Sequence, residues 1–175
     1  MHETPDDLDR LQQLLDRSYD AGGAHLREVI TPERRLRAEA LVGALRGMRL
    51  LVLATVTRDG RPISGPVDGF FFRGSFWFGS SPDSLRFRHI AERPWVSATH
   101  LPGEELSVSV HGRAVPIDVN APEHAAFRQT LLDEYAPRYG PEWERMLDAG
   151  AAYARIDAHR MFTFSMPADE PERSG

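Results

Sequence analysis

Between Gly69 and Gly79 the chain carries six aromatic rings in two runs of three, Phe70-Phe71-Phe72 and Phe76-Trp77-Phe78, around Arg73-Gly74-Ser75. Apolar runs broken by a tight turn read as a β-hairpin. Successive side chains of a strand point to opposite faces. Three consecutive aromatics on each arm therefore demand apolar cover on both faces of the sheet. A barrel interior can serve one face. The other needs a helix, a partner subunit or a flat ligand, and core packing with a dimer contact accounts for most of these rings.

The surrounding sequence extends this hairpin into a sheet. Leu50 to Thr57 is a strand so uniformly apolar that both its faces are expected to be buried. Asp59-Gly60 is a strong hairpin signal, and Pro62 to Asp68 returns as a second strand. Its prolines place it at an edge or a ladder end. Trp95 to Leu101 is another strand. Leu106, Val108 and Val110 then alternate with Ser107, Ser109 and His111, and this strand continues to about Ile117. Tyr153–Asp157 and Met161–Ser165 close the sheet as one strand or a broken pair. Six short strands with hairpin signals indicate a small antiparallel barrel, so the fold class is mainly β with flanking helices.

The helices are expected around the sheet. Thr4 caps one that runs to Tyr19, with Pro5 in its first turn and Leu8, Leu11 and Leu15 on one stripe. Thr31 caps a second over Pro32–Arg46. A short helix spans Pro82–Ala91, with Ser81 as the ordinary N-cap. Asn120 and Glu123 resemble a capping box for a helix to Tyr135, and Gly140-Pro141 precedes another to Asp148. The chain reads as one domain. Residues 1–48 are N-terminal helices, 49–117 the barrel core and cofactor site, 118–165 helices and the closing strand, and 166–175 a frayed tail.

Composition narrows the chemistry. A net charge of −5 argues against non-specific nucleic-acid binding. The chain has no cysteine, and all 21 basic residues are arginine, so thiolate and Schiff-base lysine mechanisms are excluded. No apolar run approaches the ~20 residues of a membrane span, and the acidic start is unlike a signal peptide. A cytoplasmic location is the expectation. The seven histidines show no metal-ligand spacing, and no metal is expected.

The best candidate site is Gly79-Ser80-Ser81-Pro82-Asp83-Ser84 with Arg86. A strand that ends in a serine-rich turn before an arginine-bearing helix can hold a phosphate. The capped helix explains Ser81, Pro82 and Asp83, but it does not require Ser80, Ser84 or Arg86. His89, His100 and His111 are each better read as structural.

The order ATVTRDGRPISGPV, FWFGSS, SLRFRHI, ERPWVSAT and HGRAVPI, within Leu51–Ile117, resembles the pyridoxamine 5′-phosphate oxidase-like family of flavin-binding split β-barrels. The resemblance implies a six-stranded antiparallel split barrel, a homodimer, and FMN at its interface. It assigns the phosphate to Ser80, Ser81, Ser84 and Arg86, with Arg88 a weaker candidate. It implies that Gly79 lets the chain approach the cofactor and that the backbone at Pro66, Val67 and Asp68 lines the ring. Phe78 and Ser107 complete the cofactor-binding set. The implied activity is hydride transfer to or from a small organic substrate, with no catalytic residue named. Leu85 stands where the true oxidases have a basic residue, and their C-terminal Trp and Arg segment is missing, so vitamin B6 oxidation is not implied. The alternatives on this fold are the deazaflavin F420, with Arg73, Arg88 and Arg93 along its tail, and haem, with His159 or His111 as axial ligand. A non-catalytic flavin-binding protein is a further alternative.

Overall fold

The computed structural model describes residues 2–166; the expected frayed tail lies almost wholly outside them. Six strands, β1 (Met48–Val56), β2 (Pro62–Phe72), β3 (Ser75–Ser80), β4 (Trp95–His100), β5 (Leu106–Ile117) and β6 (Ala152–Ser165), form a closed barrel in the order β1-β2-β3-β6-β5-β4. All six pairings are antiparallel. The helices are α1 (Pro5–Asp20), α2 (Ala24–Val29), α3 (Ala38–Ala44), α4 (Leu85–Glu92), α5 (Ala125–Tyr139) and α6 (Glu142–Asp148).

The aromatic hairpin sets the two layers. Arg73 and Gly74 both have positive φ, and Phe72 pairs with Ser75 across them, so the turn is the two-residue kind that matches strand twist. Phe71, Phe76 and Phe78 point into the barrel among Leu51, Leu53 and Val110. Phe70, Phe72 and Trp77 point outward and are covered by Phe127, Leu131 and Tyr135 of α5 and by Trp143 and Leu147 of α6. Helices of the same chain thus cover the second face. Each ring so buried is worth about 1.5–3 kcal/mol relative to exposure.

The two expected β-segments on either side of Gly69 are one continuous strand, β2, with its N-terminal half paired to β1 and its C-terminal half also paired to β3. β1 is not buried on both faces. Leu51 and Leu53 are buried, whereas Leu50 and Val52 are 59% and 53% exposed. β6 is a single strand, bulged at His159 where the register to β5 shifts between His111 and Gly112.

The barrel is split between β3 and β6. β3 pairs only with Ala152–Arg155, so the later part of β6 has no strand on that side. Helix α1 fills the gap. The backbone N–H of Met161 donates to Ser18 Oγ at 3.0 Å. That of Thr163 donates to the Tyr19 hydroxyl at 2.7 Å, and the hydroxyl also lies 2.7 Å from the Thr163 carbonyl. Side chains thus satisfy ladder groups that a seventh strand would otherwise take. α1 starts as expected, with Thr4 and Asp7 capping each other in a reciprocal box.

The expected helix over Pro32–Arg46 is broken. A 3-10 turn at Pro32–Arg34 is followed by extended backbone at Arg35 and Arg37, and only Ala38–Ala44 is α-helical. Tertiary acceptors explain the break. The Leu36 N–H donates to Thr163 Oγ1 and the Ala38 N–H to Gln12 Oε1. The expected capping box at Asn120 is absent as well. A 3-10 turn at Pro122–His124 leads into α5, and Asn120 Oδ1 accepts from Arg128 Nε instead. Pro137 sits inside α5, which continues past Tyr135 to Tyr139.

Candidate functional site

β3 ends at Ser80, and the chain turns through Ser81-Pro82-Asp83 before α4 begins. The N-cap is Ser84, not Ser81: its Oγ accepts the Phe87 N–H at 3.3 Å. The Ser84 N–H donates to the Ser81 carbonyl, which makes the preceding residues a turn and leaves Ser81 exposed. Arg86, in the first turn of α4, folds back over the strand ends. Its Nη1 donates to Ser80 Oγ at 3.3 Å and its Nη2 to the Pro66 carbonyl at 3.2 Å. No described carboxylate pairs with it. Partial burial lowers its pKa from the ordinary arginine value, yet a guanidinium stays charged.

Arg86 stands at the lip of a cavity of about 1000 Å³. One wall is the outer face of β2 and the end of β3, at Pro66, Asp68, Gly79 and Ser80. The other is aromatic: Tyr135 and Tyr139 from α5, Trp143 from α6, and Tyr153 from β6. Tyr135 donates its hydroxyl to Asp68 Oδ2 at 2.7 Å and stacks on Trp143, with ring centroids 4.6 Å apart. Burial, then the Asp68 carboxylate, raise the Tyr135 phenol far above the ordinary range. The same two causes push Tyr153 up to about 12. Both phenols are therefore neutral at any working pH and act as fixed hydrogen-bond and packing groups.

The structure brings together most of the residues singled out in the sequence. Pro66, Val67, Asp68, Gly79, Ser80, Ser81 and Arg86 all line the cavity. Val67 does so although its side chain is buried in the barrel core. Ser84 lines a smaller pocket that shares Arg86. Gly79 is needed for a neighbour in the chain: a Cβ there would sit 2.5 Å from the Tyr153 ring. Three residues lie elsewhere. Phe78 is fully buried inside the barrel beside Phe87. Arg88 is exposed on α4, and Ser107 lies on β5, paired with Phe164. His111 bonds Ser97, and His159 packs against Trp95; neither histidine lines a described pocket. Sequence reasoning missed the aromatic wall. Part of its signal was the four-residue spacing of Tyr135 and Tyr139, which puts both rings on one side of α5; Trp143 comes from the separate helix α6.

The residues present fit a flat, phosphorylated ring system. An arginine whose partners among the described residues are a carbonyl and a hydroxyl sits at one end. Aromatic faces line the other, and the volume lies in the range of small-molecule sites.

No curated protein matches the sequence. Solved structures share its fold. The conserved hypothetical protein Rv2991 from Mycobacterium tuberculosis is 20% identical, with a TM-score of 0.62 over 80% of this chain and 94% of its own. A FAD-binding protein from Mesorhizobium loti is 22% identical, with a TM-score of 0.55 over 77% of this chain and 98% of its own. A structure named F420 reductase is 17% identical, with a TM-score of 0.51 over 68% and 93% of the two chains. The family model described as pyridoxamine 5′-phosphate oxidase matches residues 38–163, which take in β1 to β5, most of β6 and the whole cavity lining. With that match over most of its length and a split barrel of six antiparallel strands, the chain belongs to the pyridoxamine 5′-phosphate oxidase family.

Proposed function

We propose that the cavity takes FMN and that the protein is a homodimeric oxidoreductase acting on a small organic substrate. The observation that carries this reading is Arg86, a partly buried cation with no carboxylate partner among the described residues, at the edge of an aromatic-walled cavity. A flavin, when bound, supplies the hydride chemistry, and the protein holds and tunes it. Arg86 and Ser80 hold the anionic end. Pro66 and the β2 backbone lie along one side of the ring, while Tyr153 and the Tyr135–Trp143 stack keep water from the other. Asp68, fixed by the Tyr135 hydroxyl, is the carboxylate positioned to accept a proton or an N–H at the cavity wall.

FMN suits the site better than the alternatives. A long anionic tail needs a run of free arginines beyond Arg86. Arg73 instead sits on the β2–β3 turn, beside a different pocket, and Arg93 is tied to the Val56 carbonyl and Glu92. Asp68 and Glu142 line the cavity and oppose further negative charge. Haem has no histidine in the cavity lining.

The exposed outer face of β1 supports the homodimer reading. Leu50 and Val52 pair with Asp68 and Pro66 in β2, so exposed apolar surface adjoins the cavity lip. A second copy seated there covers it and closes the site.

Arg86→Ala tests the assignment. FMN affinity is expected to fall by about 1.5–3 kcal/mol, the size of a charge-assisted hydrogen bond, measured by flavin titration. Unchanged affinity refutes it.

A further inference from the structure

Charge is placed unevenly around the large cavity. Its described lining holds one guanidinium, Arg86, and two carboxylates, Asp68 and Glu142. The carboxylates differ. Glu142 accepts from Arg145 on its own helix. Asp68 accepts the Tyr135 hydroxyl at 2.7 Å, and among the described residues no cation pairs with it. In the FMN reading the phosphate occupies Arg86. Asp68 then stands in the remaining space as a charge that the chain does not neutralise.

The wall beside Asp68 is made of rings. Tyr135 stacks on Trp143 with planes 29° apart, and Tyr139 meets Tyr135 with centroids 6.1 Å apart. Gly140, at φ 72°, turns the chain between α5 and α6 and so brings Trp143 back onto Tyr135. Tyr139 and Met146 line the cavity too, yet each is 55% exposed. Met146 lies one turn beyond Trp143 on α6, so its thioether shares a side with the indole. The chain's own packing leaves this mouth of rings and sulfur uncovered. Ring faces are negative and a thioether is polarisable, so such a wall attracts an organic cation. Arg138 shows the preference already: its guanidinium lies 5.9 Å from the Tyr139 ring centroid, outside the cavity lining.

We infer that the mouth formed by Tyr135, Tyr139, Trp143 and Met146, with Asp68 as counter-charge, is the seat of an organic cation, an alkyl- or arylammonium that carries no phosphate or carboxylate of its own. This rests on the FMN reading and names the substrate class of the same site. The flavin ring lies along β2, and the cation fills the space between that ring and the two helices. Its apolar groups rest on the rings of α5 and α6, and its charge faces Asp68. An anionic substrate finds no free guanidinium in the lining, because the flavin phosphate holds Arg86.

Three probes with one ring and different charge test the seat. Benzyltrimethylammonium, benzyl alcohol and phenylacetate are titrated by calorimetry into the protein with and without saturating FMN. With FMN present, the cation is expected to bind about tenfold more tightly than benzyl alcohol, and phenylacetate not to bind. Asp68→Asn keeps an oxygen for the Tyr135 hydroxyl and loses the charge. It is expected to weaken the cation by about tenfold and to leave benzyl alcohol unchanged. Tyr139→Ala is expected to weaken the cation by about fivefold, and Tyr139→Phe to retain it, because the contact is the ring face. Both positions are exposed, so neither change disturbs the core. Equal binding of the three probes, preference for phenylacetate, or displacement of the cation by FMN overturns the seat and leaves the flavin reading standing. Asp68-dependent preference for the cation in a protein that takes no FMN supports the seat and removes the flavin reading. No binding of the cation with or without FMN overturns the seat.

Discussion

Tyr153 shows how one side chain ties fold to site. It packs against Gly79 and lines the cavity, and burial first, then the nearby Asp68 carboxylate, raise the pKa of its phenol. Its folded-state pKa is about 12, against 10.0 ordinarily. Below pH 10 both folded and unfolded forms keep the proton, and stability is unaffected. Between 10 and 12 the unfolded chain ionises first, so stability falls as pH rises through that window. Tyr153→Phe is expected to flatten this alkaline loss in urea unfolding, and an unchanged slope contradicts the assignment. At this scale the sequence singled out residues that the fold brings to one cavity, but not always for the reason the sequence suggests. Gly79 reads as room for a ligand, yet a ring from residue 153 occupies that space. Ser81 and Ser84 are equally good caps by type. The turn from the Ser81 carbonyl to the Ser84 N–H decides between them.

Helix α1 is the element that completes the barrel. Its Tyr19 hydroxyl both accepts from and donates to the Thr163 backbone, at the place where β3 has stopped. Tyr19→Phe leaves a buried N–H without a partner, which costs about 1–3 kcal/mol. The denaturation midpoint is expected to drop accordingly, with far-UV signal intact; no drop means the gap is closed some other way. The hairpins were legible because a period of two and turn residues such as Asp59-Gly60 and Arg73-Gly74 are local signals. The break in the helix expected over Pro32–Arg46 was not. It depends on Thr163, which accepts from Leu36 across 127 residues of chain. The aromatic wall was hidden for the same reason, because α5 and α6 meet β2 only in the folded protein. The demand for cover over Phe70, Phe72 and Trp77 was legible; the identity of the cover was not.

For the whole molecule, the outer face of β1 is the surface on which the proposed dimer rests. Leu50 and Val52 are apolar, exposed and next in register to the cavity-lining residues of β2. Val52→Asp leaves the barrel core untouched and is expected to convert the dimer to a monomer with weakened FMN binding, read by sedimentation and flavin titration. A wild-type protein that sediments as a monomer at micromolar concentration removes the dimer from the account. The described residues hold no helix long and apolar enough to cross a membrane.

The most direct measurement is the visible absorbance spectrum of the purified protein before and after addition of FMN, with F420 added separately. The account predicts a shifted flavin band that saturates near one FMN per chain, and little response to F420. Binding of F420 without FMN, or silence with both, contradicts it.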